Sequence, residues 1–332
     1  MTAQGSIESI RTTSLSTWRQ VITPGEPVAL LDFPSYQNAG DSLIYVGERA
    51  YLRNLGSPVR YMTDSTRYDA DELRRRHPEG TLLVRGGGNL GDRWLQMQDF
   101  RERVIEDFPD RRIIQLPQSV DFRTPERIDQ CQRVFGKHPD LTLMIRDSRS
   151  MAEANRLFPD TPAVFCPDAA FGADRFDVGR DAPHAVVGLF RQDSEKVDHG
   201  GSLGDIVFDW GFSGSELRRW KMIRIPQSIA RREPRLNRAL YPVIQRGYDA
   251  QARMNVTAAV SRISQGRVLV TDRLHAAVFA CLMGRPVVAL DNANGKISAI
   301  AEDYLSAVEG FHYASSLDDA RERVAHLVAA TA

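Results

Sequence analysis

Cysteine is scarce in this chain: three in 332 residues, at 131, 166 and 281. They are far apart, odd in number and form no CxxC pair. That argues against a disulfide framework and against a thiolate zinc site, and reduced thiols fit a cytoplasmic setting. Net charge is missing as well, with 43 Lys plus Arg against 43 Asp plus Glu. A general attraction to nucleic acid or to an anionic membrane is therefore not indicated, although a few arginines can still cluster locally. No apolar run approaches the roughly 18 residues that a membrane helix needs. The first twenty residues are polar, without an apolar core, and are not expected to act as a secretory signal. The expectation is a cytoplasmic protein with no integral membrane segment; a peripheral contact with the inner face of the membrane stays open. HExxH and the Walker lysine are absent, and the one GxSxG string, Gly200–Gly204, lies in a stretch that reads as loop rather than on a strand-to-helix elbow, so no metal, no hydrolase triad and no P-loop is expected.

What is present is ordinary globular composition, 42% hydrophobic and 26% charged, enough to build a sizeable core. The length suggests two domains. Short apolar runs alternate with amphipathic segments. The runs are Val28–Phe33, Val59–Met62, Thr81–Val84, Arg112–Leu116, Leu141–Ile145 and Ala163–Phe165, with helices expected near 42–55, 69–76, 95–108, 126–135 and 148–158. Nearly continuous apolar runs suit parallel strands buried on both faces. Residues 167–183, rich in Gly, Pro and Asp, read as a linker. A second alternating series follows, at 185–190, 217–225, 242–264, 268–271, 274–283 and 287–290, with a loop over 193–215 and a closing helix over 316–329. The expected architecture is α/β: a polar lead-in over 1–26, read as open chain or one helix, and two Rossmann-like, doubly wound domains over 27–178 and 179–332. Such domains face a cleft lined by the loops at the carboxyl ends of their strands.

Those loops carry the polar residues. Asn38-Ala39-Gly40-Asp41 follows the first run, Gly86-Gly87-Gly88-Asn89 with Asp92 the third, and Arg146-Asp147-Ser148 the fifth. Asp272-Arg273-Leu274-His275 and Asn294-Gly295-Lys296 follow two runs in the second half. Asp272 is expected to cap a helix whose first turn holds Arg273 and His275, which makes an anion site. The positive end of that helix opposes a proton on His275, whereas a bound phosphate or carboxylate favours one. The plain alternative is a capped helix with a surface histidine. Arg146 is either a second clamp on the anion or the partner of Asp147 or Asp168. Gly87 permits close backbone approach, or else marks a tight turn. Asp41 and Asp92 are candidate bases or hydroxyl ligands, or merely caps, and Lys296 is an anion contact or a solvated lysine.

In order and spacing, these pieces resemble the polysaccharide pyruvyl transferase family over about residues 27–305. The resemblance implies a fold similar to the GT-B glycosyltransferases, with no cofactor. It implies phosphoenolpyruvate as donor and a sugar bearing two nearby hydroxyls as acceptor, lipid-linked or nucleotide-linked, and a cyclic pyruvate ketal as product in exopolysaccharide or cell-surface glycan synthesis. Carried onto this chain, His275 and Arg273 match the family's Arg-Leu-His, with Asp41 a third catalytic candidate. Arg146, Arg273, Lys296, Gly87 and Asn89 fall on the donor side, and Asn38, Asp41 and Asp92 on the acceptor side. The competing readings are a nucleotide-sugar glycosyltransferase, a binding module without turnover and, last, a nicotinamide dehydrogenase, for which no GxGxxG lies in the first turn.

Overall fold

Two all-parallel sheets organise the chain in a computed structural model, which describes residues 3–179, 181–192, 197, 203–291 and 295–330. Helix α1 (Ala3–Val21) precedes the first sheet. The sheet is built from β1 (Val28–Leu31), β2 (Val59–Thr63), β3 (Thr81–Val84), β4 (Gly87–Gly91), β5 (Ile113–Asp121), β6 (Leu141–Ile145) and β7 (Ala163–Phe165). Helices α2 (Ala39–Asn54), α3 (Ala70–Arg76), α4 (Leu95–Asp107), α5 (Pro125–Lys137) and α6 (Ser148–Leu157) connect its strands. The second sheet holds β8 (His184–Leu189), β9 (Ile206–Phe208), β10 (Gly266–Thr271), β11 (Val287–Leu290) and β12 (Phe311–Ala314). Its helices are α7 (Gly214–Ile223), α8 (Ile225–Arg232), α9 (Asn237–Ile263), α10 (Leu274–Leu282), α11 (Lys296–Asp303) and α12 (Leu317–Ala330).

The strand order is β2-β1-β3-β5-β6-β7 in one sheet, with β4 alongside β5, and β12-β11-β10-β8-β9 in the other. Counted within each sheet with the off-path β4 left aside, both orders contain 2-1-3-4-5, the doubly wound pattern in which the winding reverses between the first and third strands. The central strands are buried on both faces, which explains why their sequences are runs of Val, Leu and Ala, with Thr81 opening β3, rather than alternating. The chain is thus α/β with a GT-B-like pair of sheets, as the sequence pattern leads one to expect.

Three stretches differ from expectation. Residues 3–21 form the one helix open to the lead-in, but it is not polar on every face: Ile7, Ile10, Ser14, Trp18 and Val21 are buried. They recur at the three- and four-residue spacing of one helix face, a stripe masked by polar neighbours. Trp18 stacks on Tyr51 of α2 with ring centroids 5.1 Å apart. The 167–183 stretch holds a single 3-10 turn over 169–172, buried against α2 rather than free as a linker. Helix α9 begins before Pro242, although proline removes an amide donor. The freed carbonyl of Arg238 accepts from Arg76 Nη2 at 3.2 Å, which tolerates the proline. This 27-residue helix also reaches the first sheet, where Tyr241 and Gln245 bond the Met62 backbone and Tyr248 bonds Asp64.

Trp18→Ala should lower unfolding stability by about 3–5 kcal/mol, the usual cost of emptying a large buried aromatic site. Urea titration measures it. A loss within the error of the titration would mean that α1 is dispensable after all.

Candidate active site

At a doubly wound switch point, two neighbouring loops diverge to opposite faces and leave a crevice at the carboxyl ends of the strands. Here the two switch points face each other. The loops after β1 and β3 meet those after β8 and β10 around one cavity of about 370 Å³. Its walls include Tyr36, Asn38, Asp41, Gly88, Asn89 and Arg146 from the first half, and Arg191, Trp210, Arg273, His275 and Lys296 from the second.

Asn38 caps α2, its Oδ1 accepting from the amides of Gly40 and Asp41. Its Nδ2 and the Tyr36 hydroxyl both donate to Asp41 Oδ2, at 3.0 and 2.7 Å. Burial raises the affinity of Asp41 for a proton, but the nearby Arg85 and His275 charges outweigh it and hold the carboxyl below its usual range. Gly40 lies against His275: an added Cβ would sit 2.8 Å from its Cβ and 2.9 Å from Nδ1.

The triple glycine is not a turn. Gly87–Gly91 forms β4 and pairs in parallel with β5. Strand β5 itself runs to Asp121 and takes in Pro117-Gln118-Ser119, which the apolar pattern places beyond the strand. Gly88, rather than Gly87, faces the cavity, and a Cβ on it would stand 2.7 Å from Arg146 Nη2 and 3.1 Å from Lys296 Nζ. Asn89 is held from behind, its Oδ1 accepting from Arg101 and Gln118 at 2.7 and 2.9 Å. Asp92 does not line the cavity. Its carboxylate accepts from the amides of Arg123 and Thr124 at the start of α5, a capping role.

The deepest feature is a chain of charges joining the two sheets. Arg146, 1% exposed, gives Nε to Ser119 Oγ at 2.8 Å and Nη1 to Asp168 Oδ2 at 2.6 Å. The same Asp168 oxygen lies 3.3 Å from His275 Nε2. Burial alone would raise the Asp168 carboxyl, but His275 and Arg146 together hold it far below the ordinary carboxylate range. Asp168 therefore only accepts, which places a proton on His275 Nε2. Sequence reasoning treated Asp168 as one possible partner of Arg146; that it is also the partner of His275 could not be seen without the fold.

On the opposite wall, Asp272 does not cap α10. The cap residue is Arg273, and Asp272 instead accepts the amide of Arg191 at 2.8 Å. His275 is then the second residue of the helix, whose first amides have no helical partner. Arg273 pairs with Asp209 at 2.6 Å and lies 6.0 Å from the Trp210 ring centroid. Both partners come from the 193–215 stretch, which contains β9 and is not loop throughout; residues 193–196 and 198–202 lie outside the described residues, as does Asn294. Lys296 opens α11 and donates to the Gly88 carbonyl at 2.9 Å. Thus Asn38, Asp41, Asn89, Arg146, Arg273, His275 and Lys296 share one cavity; Asp92 is outside it, and Gly87 yields its place to Gly88. Tyr36, Trp94, Met97, Arg191 and Trp210 also line it and escaped the sequence reading, because a lone aromatic or arginine in a loop carries no spacing signal.

The sequence profile of one family, polysaccharide pyruvyl transferase, matches residues 38–294, a span from the α2 cap to the loop before Lys296. The chain belongs to this family. Among its relatives, pyruvyl transferase 1 of Schizosaccharomyces pombe is 30% identical over 285 residues, 82% of this chain and 68% of the relative. EpsO of Bacillus subtilis, a candidate pyruvyl transferase, is 31% identical over 159 residues, 47% of this chain and 48% of EpsO. A solved structure of an uncharacterised Klebsiella pneumoniae protein superimposes over 92% of this chain and 99% of its own, with a TM-score of 0.59 at 17% identity, which supports the fold.

Beneath the glycine strand of this pyruvyl transferase lies Glu48, fully buried, with Oε1 accepting the Gly86 amide at 2.7 Å. Burial pushes its pKa up to about 8, although the Gly86 hydrogen bond and Arg85 pull the other way. A carboxyl raised in the folded state penalises folding once it ionises. Stability conferred below an unfolded value near 4.3 should therefore be lost as pH rises toward 8. Glu48→Gln should match the parent near pH 5 and exceed it near pH 9, by an amount on the order of a few kcal/mol. Denaturant titrations at the two pH values test this; equal offsets at both would refute it. Gly40→Ala should cut kcat at least about tenfold by crowding His275, since small displacements at a reacting group are costly. Steady-state kinetics measures that, and an unchanged kcat would remove the reason given for a glycine there.

Proposed function

We propose that the cavity transfers the pyruvyl group of phosphoenolpyruvate onto two hydroxyls of a glycan or glycan precursor, forming a cyclic ketal. One observation carries the reading. The missing side chain of Gly88 lets Arg146 Nη2 and Lys296 Nζ, cations from opposite sheets, close in on its backbone, and both line the same cavity as His275. Phosphoenolpyruvate is small and carries both a phosphate and a carboxylate, so it suits cations converging from more than one side. Arg146 already spends Nε and Nη1 on Ser119 and Asp168, which leaves Nη2 for the donor. Arg273, oriented by Asp209, supplies a second guanidinium.

The chemistry follows from the charges. His275 as imidazolium, its Nε2–H held by Asp168, protonates the methylene carbon of the donor and turns it into a methyl group. Positive charge develops at the adjacent carbon, and one acceptor hydroxyl adds there. Asp41 accepts a hydrogen bond from that hydroxyl; a carboxyl held low is a weak base, so it orients the hydroxyl, whose proton restores the one His275 gave up, while the proton of the second hydroxyl leaves on the phosphate. The second hydroxyl then displaces phosphate and closes the ring, with Arg146, Arg273 and Lys296 stabilising the leaving group. Each turnover consumes two hydroxyls and one donor and releases one phosphate.

Phosphate release from phosphoenolpyruvate should require a sugar acceptor with two nearby hydroxyls. His275→Ala should keep donor-induced thermal stabilisation and lose about 10²–10⁴ in kcat. Nucleotide sugars tested in parallel should give no comparable stabilisation. Stabilisation by a nucleotide sugar alone, with no phosphate released from phosphoenolpyruvate, would mean a glycosyltransferase instead.

A further inference from the structure

Helices α7 and α8 form an almost continuous rod, because Arg224 ends one and begins the other in helical conformation. Its inner face buries Trp220, Gln227 and Ala230. The opposite face carries a second apolar row: Met222, Ile225 and Ile229 are 60%, 52% and 41% exposed, at the spacing of one helix stripe. Leu236 and Val243, around the start of α9, are exposed too. Single exposed aliphatics need no explanation, but a row of them does.

Charge around the row is far from average. Residues 214–246 hold nine Lys and Arg against two Asp and Glu, in a chain whose total is zero. Arg218, Arg219, Lys221, Arg231 and Arg232 are exposed, and none has an ion-pair partner among the described residues. One of the two acids, Glu216, is taken by Arg262 at 3.1 Å. An aliphatic ridge flanked by solvated cations matches the surface of an anionic bilayer, where the ridge enters the acyl boundary and the arginines meet headgroup phosphates. A nucleic-acid backbone would satisfy the arginines but offers nothing to the aliphatic row. No helix among the described residues is long and apolar enough to cross a membrane, so such contact is peripheral.

We propose that the outer face of α7 and α8 docks this protein on an anionic lipid surface. The face is continuous with the cavity wall. Gln227 on the inner side of α8 bonds Ser35 at 3.3 Å, and Asn255 of α9 bonds the Tyr36 carbonyl at 3.0 Å. The docked helices therefore back the loop that carries Tyr36, Asn38 and Asp41 into the cavity, on the side given above to the acceptor. That further step, an acceptor presented at the bilayer, rests on the pyruvyl-transfer reading; the docking itself does not.

The test is co-sedimentation of the full chain with vesicles of phosphatidylcholine alone, or with about a third phosphatidylglycerol, at low and high salt. Binding should appear only with the anionic lipid and weaken with salt. Arg231→Gln with Arg232→Gln should lower the partition coefficient about 10–30-fold, given the usual contribution of each basic residue near such a surface. Ile225→Ser with Ile229→Ser should lower it comparably. Thermal unfolding and phosphate release with a soluble acceptor should be unchanged in both variants. Equal binding to neutral and anionic vesicles, or none to either, overturns the proposal. So does an aliphatic variant that binds as well as the parent, or one that merely converts a dimer to a monomer in analytical ultracentrifugation. Binding of RNA with displacement from vesicles would assign the surface to nucleic acid. Because vesicle binding is read without turnover, its failure leaves the pyruvyl-transfer reading standing, and the converse holds as well.

Discussion

One carboxylate oxygen holds the cavity together. Asp168 Oδ2 lies 2.6 Å from Arg146 Nη1 and 3.3 Å from His275 Nε2, and those two partners belong to different sheets. A buried charge left without a partner is costly, so each of the three groups depends on the other two. Arg146 is fixed in turn by Ser119, and Ser119 by Asp147, which also caps α6. A helix start, a strand end and a switch-point loop are thereby tied to the orientation of a single imidazole. The remaining cations are arranged on the same plan. Arg273 is set by Asp209, and Lys296 by the Gly88 carbonyl. Each is positioned before a ligand arrives, which is what electrostatic stabilisation of a developing charge requires.

The glycines complete that arrangement by omission. Gly40 brings the start of α2 against His275, and Gly88 lets Arg146 and Lys296 approach the backbone of the glycine strand. In each case the absent side chain is a structural element, since a Cβ there would push a cavity-lining side chain out of place.

Much of this was legible in the residue pattern. Alternating apolar and amphipathic runs are a strong local signal, and both parallel sheets follow from them. The loops at strand ends were legible for the same reason: once the strands are placed, the polar residues after them must cluster. What stayed hidden was pairing across long separations. Nothing local in Asp168 ties it to His275, 107 residues away, and nothing in Asp209 ties it to Arg273. Helix α1 was hidden differently, by polar residues filling the gaps of a genuine apolar stripe. Asp272 misled because aspartate before a helix is usually a cap, whereas here the helix begins one residue later and the Arg191 amide claims the carboxylate. The glycine run misled because a strand without side chains has no hydrophobic pattern to read.

Tyr304, between α11 and β12, has a hydroxyl that accepts the Asp168 amide at 3.1 Å and donates to the Arg146 carbonyl at 3.3 Å. It thus clasps the backbone of both first-sheet residues in the charge chain from the side of the second sheet. Any motion that parts the sheets must break this clasp together with the Asp168–His275 contact. Opening the cleft and separating His275 from Asp168 are then a single event. A protein built this way keeps that imidazole and that carboxylate in register only while the two sheets stay together, so the alignment of one side-chain pair reports on the closure of the whole cleft.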